Sequence, residues 1–207
     1  MKPFLALLLF SLPAWGQWEL GALGGFGFVK NLSVRNQAGS ATAGFKSGYA
    51  WGFLAGHNGY RHLSGEMRYM FHKGDPKLSS GGTQARFGGH VHLIHADFLL
   101  HTSPTGSRIR PFVAFGGGIK VFQGTGTESA AQPLNRFAAL THTREIKPLL
   151  SAGAGVKVAL TKLLSLRVEA RDFVSPPPEK IIAPAPGAAI RGWVHDVTPM
   201  AGIVFTF

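Results

Sequence analysis

The 207-residue sequence contains no cysteine, which removes disulfides, thiolate nucleophiles and thiolate metal ligands from consideration. It contains no run approaching the roughly 20 apolar residues of a membrane-spanning helix, so a helical membrane protein is excluded. Charge is sparse, at 15% of residues, where soluble domains carry about a quarter. Acid is sparser still: 10 Asp and Glu stand against 21 Lys and Arg, for a formal net charge of +11. What is abundant is glycine, with 28 residues, and phenylalanine, with 16. Such a chain can enter lipid only as a closed barrel, since closure alone pairs every backbone polar group there.

The opening MKPFLALLLFSLPAWGQ has the layout of a secretory signal. Lys2 supplies the positive end and residues 4–12 the apolar core. Ala14 and Gly16 occupy the −3 and −1 positions of a small-residue cleavage site before Gln17. The expected organisation is a signal peptide at 1–16 and one domain at 17–207. No cysteine is available to carry a lipid anchor. Export makes nucleic acid an improbable counter-charge, so no nucleic-acid partner is expected. Lipid phosphates are the better match for the excess of cations.

Eight segments read as strands, at 18–28, 47–57, 63–72, 85–100, 110–123, 147–160, 163–174 and 193–207. Their length, near ten residues or more, exceeds that of ordinary globular strands and suits a tilted membrane span. The connections alternate strictly. NGYRH, TSPTGS and TK are short, whereas the other four run from about a dozen residues upward. Transmembrane barrels sort their connections in this way, with tight periplasmic turns and longer external loops. The proline-rich SPPPEKIIAPAPG is expected to be an exposed, stiffened loop, because proline cannot serve central ladder positions.

The two faces of each strand differ. In SLRVEARDF, Leu166, Val168 and Ala170 share one parity; Arg167, Glu169 and Arg171 share the other. Glu66 and Arg68 oppose Met67, Tyr69 and Phe71. Lys120 lies among glycines opposite Val113, Phe115, Ile119 and Val121, and Lys157 lies opposite Val156 and Val158. A Lys or Arg on the lipid face near the midplane costs about 2–4 kcal/mol. Seven such residues outward would exceed the roughly 5–15 kcal/mol that holds a fold together. Glu66, Arg68, Lys120, Lys157, Arg167, Glu169 and Arg171 are therefore expected inside, paired in a lumen charge network, with inward glycines making room. Trp18, Phe26, Phe28, Tyr49, Trp51, Phe71 and Trp193 fall near strand ends, where interfacial girdles belong. In RFGGHVHLIHADFLL the alternation slips between Ile94 and Asp97, which predicts a bulge or a strand emerging from the bilayer.

The chain ends AGIVFTF, with Ala201, Ile203, Phe205 and Phe207 alternating back from the carboxyl terminus. This resembles the terminal strand of bacterial outer-membrane proteins. QWELGALGGFGF, IRPFVAFGGGIKVF, PLLSAGAGVKVAL and LSLRVEARDF resemble the small OmpA/OmpX/Opa-like barrels, over essentially the whole chain after the signal. The resemblance implies location in the outer membrane of a Gram-negative-type bacterium. It also implies an assembly signal at Ile203, Phe205 and Phe207, read by the barrel-assembly machinery. The fold expected is all-β: an eight-stranded antiparallel transmembrane up-and-down β-barrel with short periplasmic turns and long extracellular loops.

Candidate chemistry is thin. His90 and His92 share a face, with His95 close by, but no carboxylate completes a metal set locally. Inward histidines in a polar lumen are the plainer account. Ser64 with Glu66, or His195 with Asp196, offers only fragments of a nucleophilic site, and the His-x-Ser-Asn pattern of lipid A deacylases is missing. The glycine runs at 115–118 and 124–126 build no phosphate cradle, because no helix follows them. No catalytic residue, metal or cofactor is expected. The expected role is structural or surface-interacting. Basic loop residues (Lys30, Arg35, Lys46, Lys73, Lys77, Arg136, Arg144, Lys147, Lys180 and Arg191) would face outer-membrane lipids and lipopolysaccharide, on a monomeric barrel. Alternatives are a narrow solute channel, a lipid A-modifying enzyme, or a soluble lipocalin-like carrier with the faces reversed.

Overall fold

The computed structural model describes residues 18–37, 39–129 and 131–207; the expected signal peptide at 1–16 lies outside the described residues. Eight long strands form a closed antiparallel barrel: β1 (Trp18–Val29), β2 (Gly48–His57), β3 (Leu63–Lys73), β4 (Gly89–His101), β5 (Ile109–Gly124), β6 (Arg144–Ala159), β7 (Leu164–Val174) and β8 (Asp196–Thr206). Each pairs with its neighbours in sequence, and β8 closes on β1, with Leu20 opposite Phe205 and Ala22 opposite Ile203. This is an up-and-down transmembrane barrel. Its periplasmic turns are residues 58–62, 102–108 and 160–163. Its extracellular loops are L1 (30–47), L2 (74–88), L3 (125–143) and L4 (175–195).

The strand faces sort by physical environment. Leu20, Phe28, Phe53, Met67, Phe98, Val113, Phe115, Leu150, Val168 and Ile203 are exposed on the outer wall. Arg68, Arg167, Arg171 and Lys120 are among the largest fully buried side chains. The reverse arrangement, with apolar filling and a charged exterior, is what a soluble carrier barrel would require. Two glycines of β6 show how the interior accommodates so much charge. Gly153 and Gly155 pair with Arg171 and Glu169 of β7. A Cβ at Gly153 would lie 2.8 Å from Arg171 Cγ, and one at Gly155 would lie 2.6 Å from Glu169 Cβ. The missing side chains are the space that the charged row occupies.

β4 corrects the expected bulge. Its register with β3 and β5 is continuous, and its burial alternates without a break. What changes along β4 is the chemistry of its neighbours, not the pleat. Val91, Leu93 and Leu99 point inward with His95 and Asp97, while His90 and His92 point outward beside aromatic residues.

The extracellular loops depart most from expectation. Leu32–Asn36 and Gly39–Phe45 form a hairpin in L1, and Pro76–Ser80 and Thr83–Arg86 form another in L2. With Ala189–Arg191 of L4 they make a five-stranded sheet. Ala138–Leu140 of L3 pairs with Ile182–Pro184 of L4. Residues 85 and 86 thus belong to this cap and not to β4, and residues 193–195 precede β8. The proline-rich segment is not simply exposed, since Ile181 and Ile182 are fully buried. Leu32, Val34, Ala41, Ala43, Leu78, Ala85 and Ile190 turn one face of the sheet inward. They join Phe137 and Ile182 over Met70, Leu93, Phe122, Phe173 and Met200 at the barrel's upper rim. Each strand is only three to seven residues long, too short to be stable singly. Burial of a large apolar side chain contributes about 1.5–3 kcal/mol, and here that burial becomes available only when the loops meet one another.

Candidate functional site

The distinctive chemistry lies along the barrel axis. β3 and β7 are four strands apart in either direction round the barrel, so they face each other across it. Parity aims Glu66 and Arg68 of β3, and Arg167, Glu169 and Arg171 of β7, at the axis. Arg68 donates from Nε to Glu66 Oε1 at 2.6 Å and reaches both Glu169 oxygens, with Nη2 3.0 Å from Oε2. Arg167 donates from Nη1 to Glu66 Oε2 at 2.8 Å and from Nη2 to Glu169 Oε2 at 2.8 Å. Arg171 Nη2 donates to Glu66 Oε1 at 2.6 Å, and its Nη1 lies 2.9 Å from Asp97 Oδ2. Three guanidiniums thus meet three carboxylates in a space closed to water. Buried charges persist only when paired this completely, and guanidinium forks suit carboxylates for the purpose.

The two lysines of the expected network have other partners. Lys120 of β5 lies 3.2 Å from Asp196 Oδ2 at the start of β8, where His72 Nδ1 also contacts that oxygen at 2.9 Å. Lys157 of β6 reaches Glu19 Oε2 of β1 at 2.5 Å. The charged interior therefore forms three groups: Glu19–Lys157 toward the periplasm, the arginine–carboxylate group in the middle, and Lys120–Asp196–His72 beneath the cap. A cavity of about 10 Å³ lies among the residues joining that upper group to the cap, space for a single water at most.

Sequence reasoning did not assign Glu19, Asp97 or Asp196 to this interior. Glu19 showed the right parity opposite Trp18 and Leu20. The expected shift of register set Asp97 aside, and Asp196 figured only beside His195 as a fragment of a nucleophilic site. Ser64 does not engage Glu66. Its Oγ lies 2.8 Å from His101 Nε2, but His101 Nδ1 has no partner, so no acid orients the imidazole. His195 Nδ1 meets Asp172 Oδ2 at 2.7 Å, not Asp196. His90 and His92 are on the outer wall, with Tyr69 Oη 2.8 Å from His92 Nδ1, while His95 is inside beside Asp97 at 2.9 Å. The three histidines therefore do not converge, and among the described residues no group of His, Asp and Glu is arranged to hold a metal.

On the outer wall, Trp51 packs against Phe71 with ring centroids 5.5 Å apart and against Tyr69 at 6.1 Å, forming an aromatic cluster with Tyr49. Ile203, Phe205 and Phe207 all face outward on the last strand and its end.

The outer face of the cap sheet is basic. Its five strands contain no Asp or Glu. Arg191, Arg35, Lys77 and Arg86 project from it, interleaved with Ser33, Ser40, Thr42 and Ser79. Among the described residues Arg35 and Arg86 hydrogen-bond neutral side chains, Ser33 at 3.4 Å and Gln84 at 3.2 Å, and Arg86 lies directly across from Lys77.

No family model matches the chain, and no curated protein matches it. Solved structures do. Neisserial surface protein A superposes with a TM-score of 0.56 at 14% identity, over 92% of this chain and 97% of that one. The outer-membrane protein AlkL, solved in lipid bilayers, superposes with a TM-score of 0.50 at 12% identity, over 95% and 93%. The fold is that of the small outer-membrane β-barrels.

Proposed function

We propose that this protein is a closed, non-conducting barrel of the outer membrane whose folded cap serves as a surface-interaction platform. The observation that carries the reading is the double closure of the lumen. Arginine–carboxylate pairs from opposite walls meet on the axis, and a hydrophobic cap seals the mouth above them. Such a lumen has no continuous wet path for an ion. Evolution of a transport route would leave charge lining a pore rather than consuming it in pairs.

The platform is the outer face of the five-stranded cap sheet, whose strands carry no carboxylate and set Arg35, Lys77, Arg86 and Arg191 among hydroxyls. Its partner in this reading is the phosphorylated headgroup region of lipopolysaccharide, which attracts basic groups close to the membrane surface. The barrel acts as a monomer, and Ile203, Phe205 and Phe207 are the residues read by the assembly machinery. No nucleic-acid partner, cofactor or catalytic step forms part of this reading.

The test is single-channel recording of purified protein in planar bilayers, paired with binding to vesicles containing phosphorylated or dephosphorylated lipid A. The expected result is no unitary current, with binding that requires the phosphates and falls in a Lys77→Gln/Arg86→Gln/Arg191→Gln variant. Reproducible unitary steps from wild type would overturn the closed lumen. Phosphate-independent binding would overturn the platform.

A further inference from the structure

The periplasmic end of the lumen differs from its middle in one respect: its charges do not balance. A cavity of about 470 Å³ opens there between turns 102–108 and 160–163. Arg108, Arg110, Lys157 and Lys162 line it, and Glu19 is its one carboxylate. Lys157 and Arg110 are direct cross-strand partners on β6 and β5, a placement in which like charges repel. Glu19 answers only one of them. It accepts from Lys157 at 2.5 Å and from Asn58 Nδ2 at 2.8 Å.

Among the described residues Arg110 hydrogen-bonds neutral groups alone, with Glu19 acting on it only at longer range. It is 6% exposed, yet its Nη1 has only Asn58 Oδ1 at 3.3 Å and its Nη2 only Thr105 Oγ1 at 3.5 Å. Its Nε is buried with no partner. The enclosed guanidiniums deeper in this lumen meet more: Arg68 and Arg167 two carboxylates each, and Arg171 three. A buried guanidinium whose nearest carboxylate, Glu19, is already engaged by Lys157 is costly, and the terminal nitrogens, each with one long neutral hydrogen bond, retain donors that an oxyanion in the adjoining cavity can accept.

We propose that this vestibule binds a phosphate group presented from the periplasmic side. Arg110 is the buried anchor, and Arg108 and Lys162 close around the anion at the rim. The volume falls in the range of small-ligand pockets, roughly 300–1,000 Å³, which suits a compact phosphate compound and is too small for a polymer. The same chemistry could arrive on a free anion or on a lipid headgroup. The site is independent of the cap platform, since it opens at the opposite end of the barrel.

The experiment uses the full mature chain refolded in zwitterionic detergent, with thermal unfolding followed by circular dichroism at constant ionic strength. One arm titrates inorganic pyrophosphate; a second titrates short-chain phosphatidylglycerol. The expected result is a saturable rise in Tm, since a ligand that binds only the folded state stabilises it. Apparent affinity should fall about tenfold or more in Arg110→Gln, as the loss of charge-assisted hydrogen bonds implies. Should Arg110→Gln fail to fold, Arg108→Gln/Lys162→Gln, altered only in the turns, should show the same weakening with an intact barrel. Saturation by pyrophosphate supports the site and assigns it to a free anion; saturation by the lipid alone supports it and assigns it to a headgroup. The proposal is overturned if neither ligand gives a saturable shift. It is equally overturned if both vestibule variants respond like wild type, or if the response disappears only in the cap variant Lys77→Gln/Arg86→Gln/Arg191→Gln.

Discussion

Arg68 on β3 and Glu169 on β7 stand on opposite walls of the barrel and meet across its axis in a two-pronged ion pair. This contact ties together strands that share no hydrogen-bonded edge. It makes the barrel's cross-section, and not merely its perimeter, a folded structure.

Neutralising one carboxylate should therefore act on the whole barrel. Glu66 accepts from Arg68, Arg167 and Arg171. Its replacement by Gln leaves three buried guanidiniums sharing the remaining carboxylates, Glu169 and Asp97. Breaking a buried pair typically costs about 3–5 kcal/mol. Urea unfolding of the refolded protein in liposomes should show a loss of that size for Glu66→Gln. A loss below about 1 kcal/mol, the scale of an exposed ion pair, would contradict the network.

The glycines opposite the charged row offer a steric test. Gly155→Val places atoms where Glu169 Cβ already stands, within 2.6 Å of the first added carbon. Overpacking costs typically about 1–3 kcal/mol. The folded band on an unboiled gel should weaken for Gly155→Val and persist for Gly65→Ala, where a Cβ meets nothing within 4 Å.

Orientation can be read from a pair of substitutions on one strand. Val168→Arg puts a cation on the lipid-facing wall and should cost about 2–4 kcal/mol if it sits near the midplane. Ser165→Arg, at the periplasmic mouth where that residue lines the vestibule, should cost much less. Equal effects in liposome unfolding would argue against a membrane-facing Val168.

The cap should loosen without the barrel. Phe137 is buried among loop residues, and Phe→Ala changes in cores cost about 3–5 kcal/mol. In Phe137→Ala, protease cleavage within L3 and L4 should rise sharply while the difference in gel mobility between boiled and unboiled protein remains. Loss of that mobility difference would show that cap and barrel fold as one unit.

The root of L2 should respond to acid. Burial pushes the Asp75 carboxyl upward, but Lys73 Nζ at 2.7 Å and the Gly89 N–H at 3.0 Å outweigh it and hold the group below its ordinary value. A depressed folded value means stabilisation that is complete above the unfolded value of about 3.9 and disappears as pH falls through the lower one. Proteolysis of L2 at acid pH should increase below about pH 4 in wild type. Asp75→Asn should be cleaved faster at neutral pH and show less of that dependence. The effect is small, because the pair is partly exposed and screened by solvent.

Strand number, the closed barrel and the side that most strand residues face could be read from the chain itself, although Val121, placed by parity on the outer wall, is buried beneath the cap. Period-2 alternation such as Leu166–Arg167–Val168–Glu169 is a local property, and lipid gives each side chain a single low-cost direction. The alternation of NGYRH, TSPTGS and TK with long connections is likewise local. Loop structure was hidden for the opposite reason. Leu32, Val34 and Ala43 have little to gain alone; their burial depends on Leu78, Ile190 and Phe137, which lie far away in sequence. His90 and His92 misled because polarity was taken to imply the lumen, whereas aromatic neighbours on the outer wall can receive imidazoles.

By itself, then, the sequence determined that charge must collect inside an eight-stranded wall, since the cost of exposing it to hydrocarbon is set residue by residue. Tertiary structure decided how that charge is shared. Which carboxylate serves which cation depends on strands brought opposite one another by closure, a distance no pattern along the chain records. It joined Glu66 and Glu169 to three arginines, gave Asp196 to Lys120 and Glu19 to Lys157, and left Arg110 without a direct ion pair among the described residues.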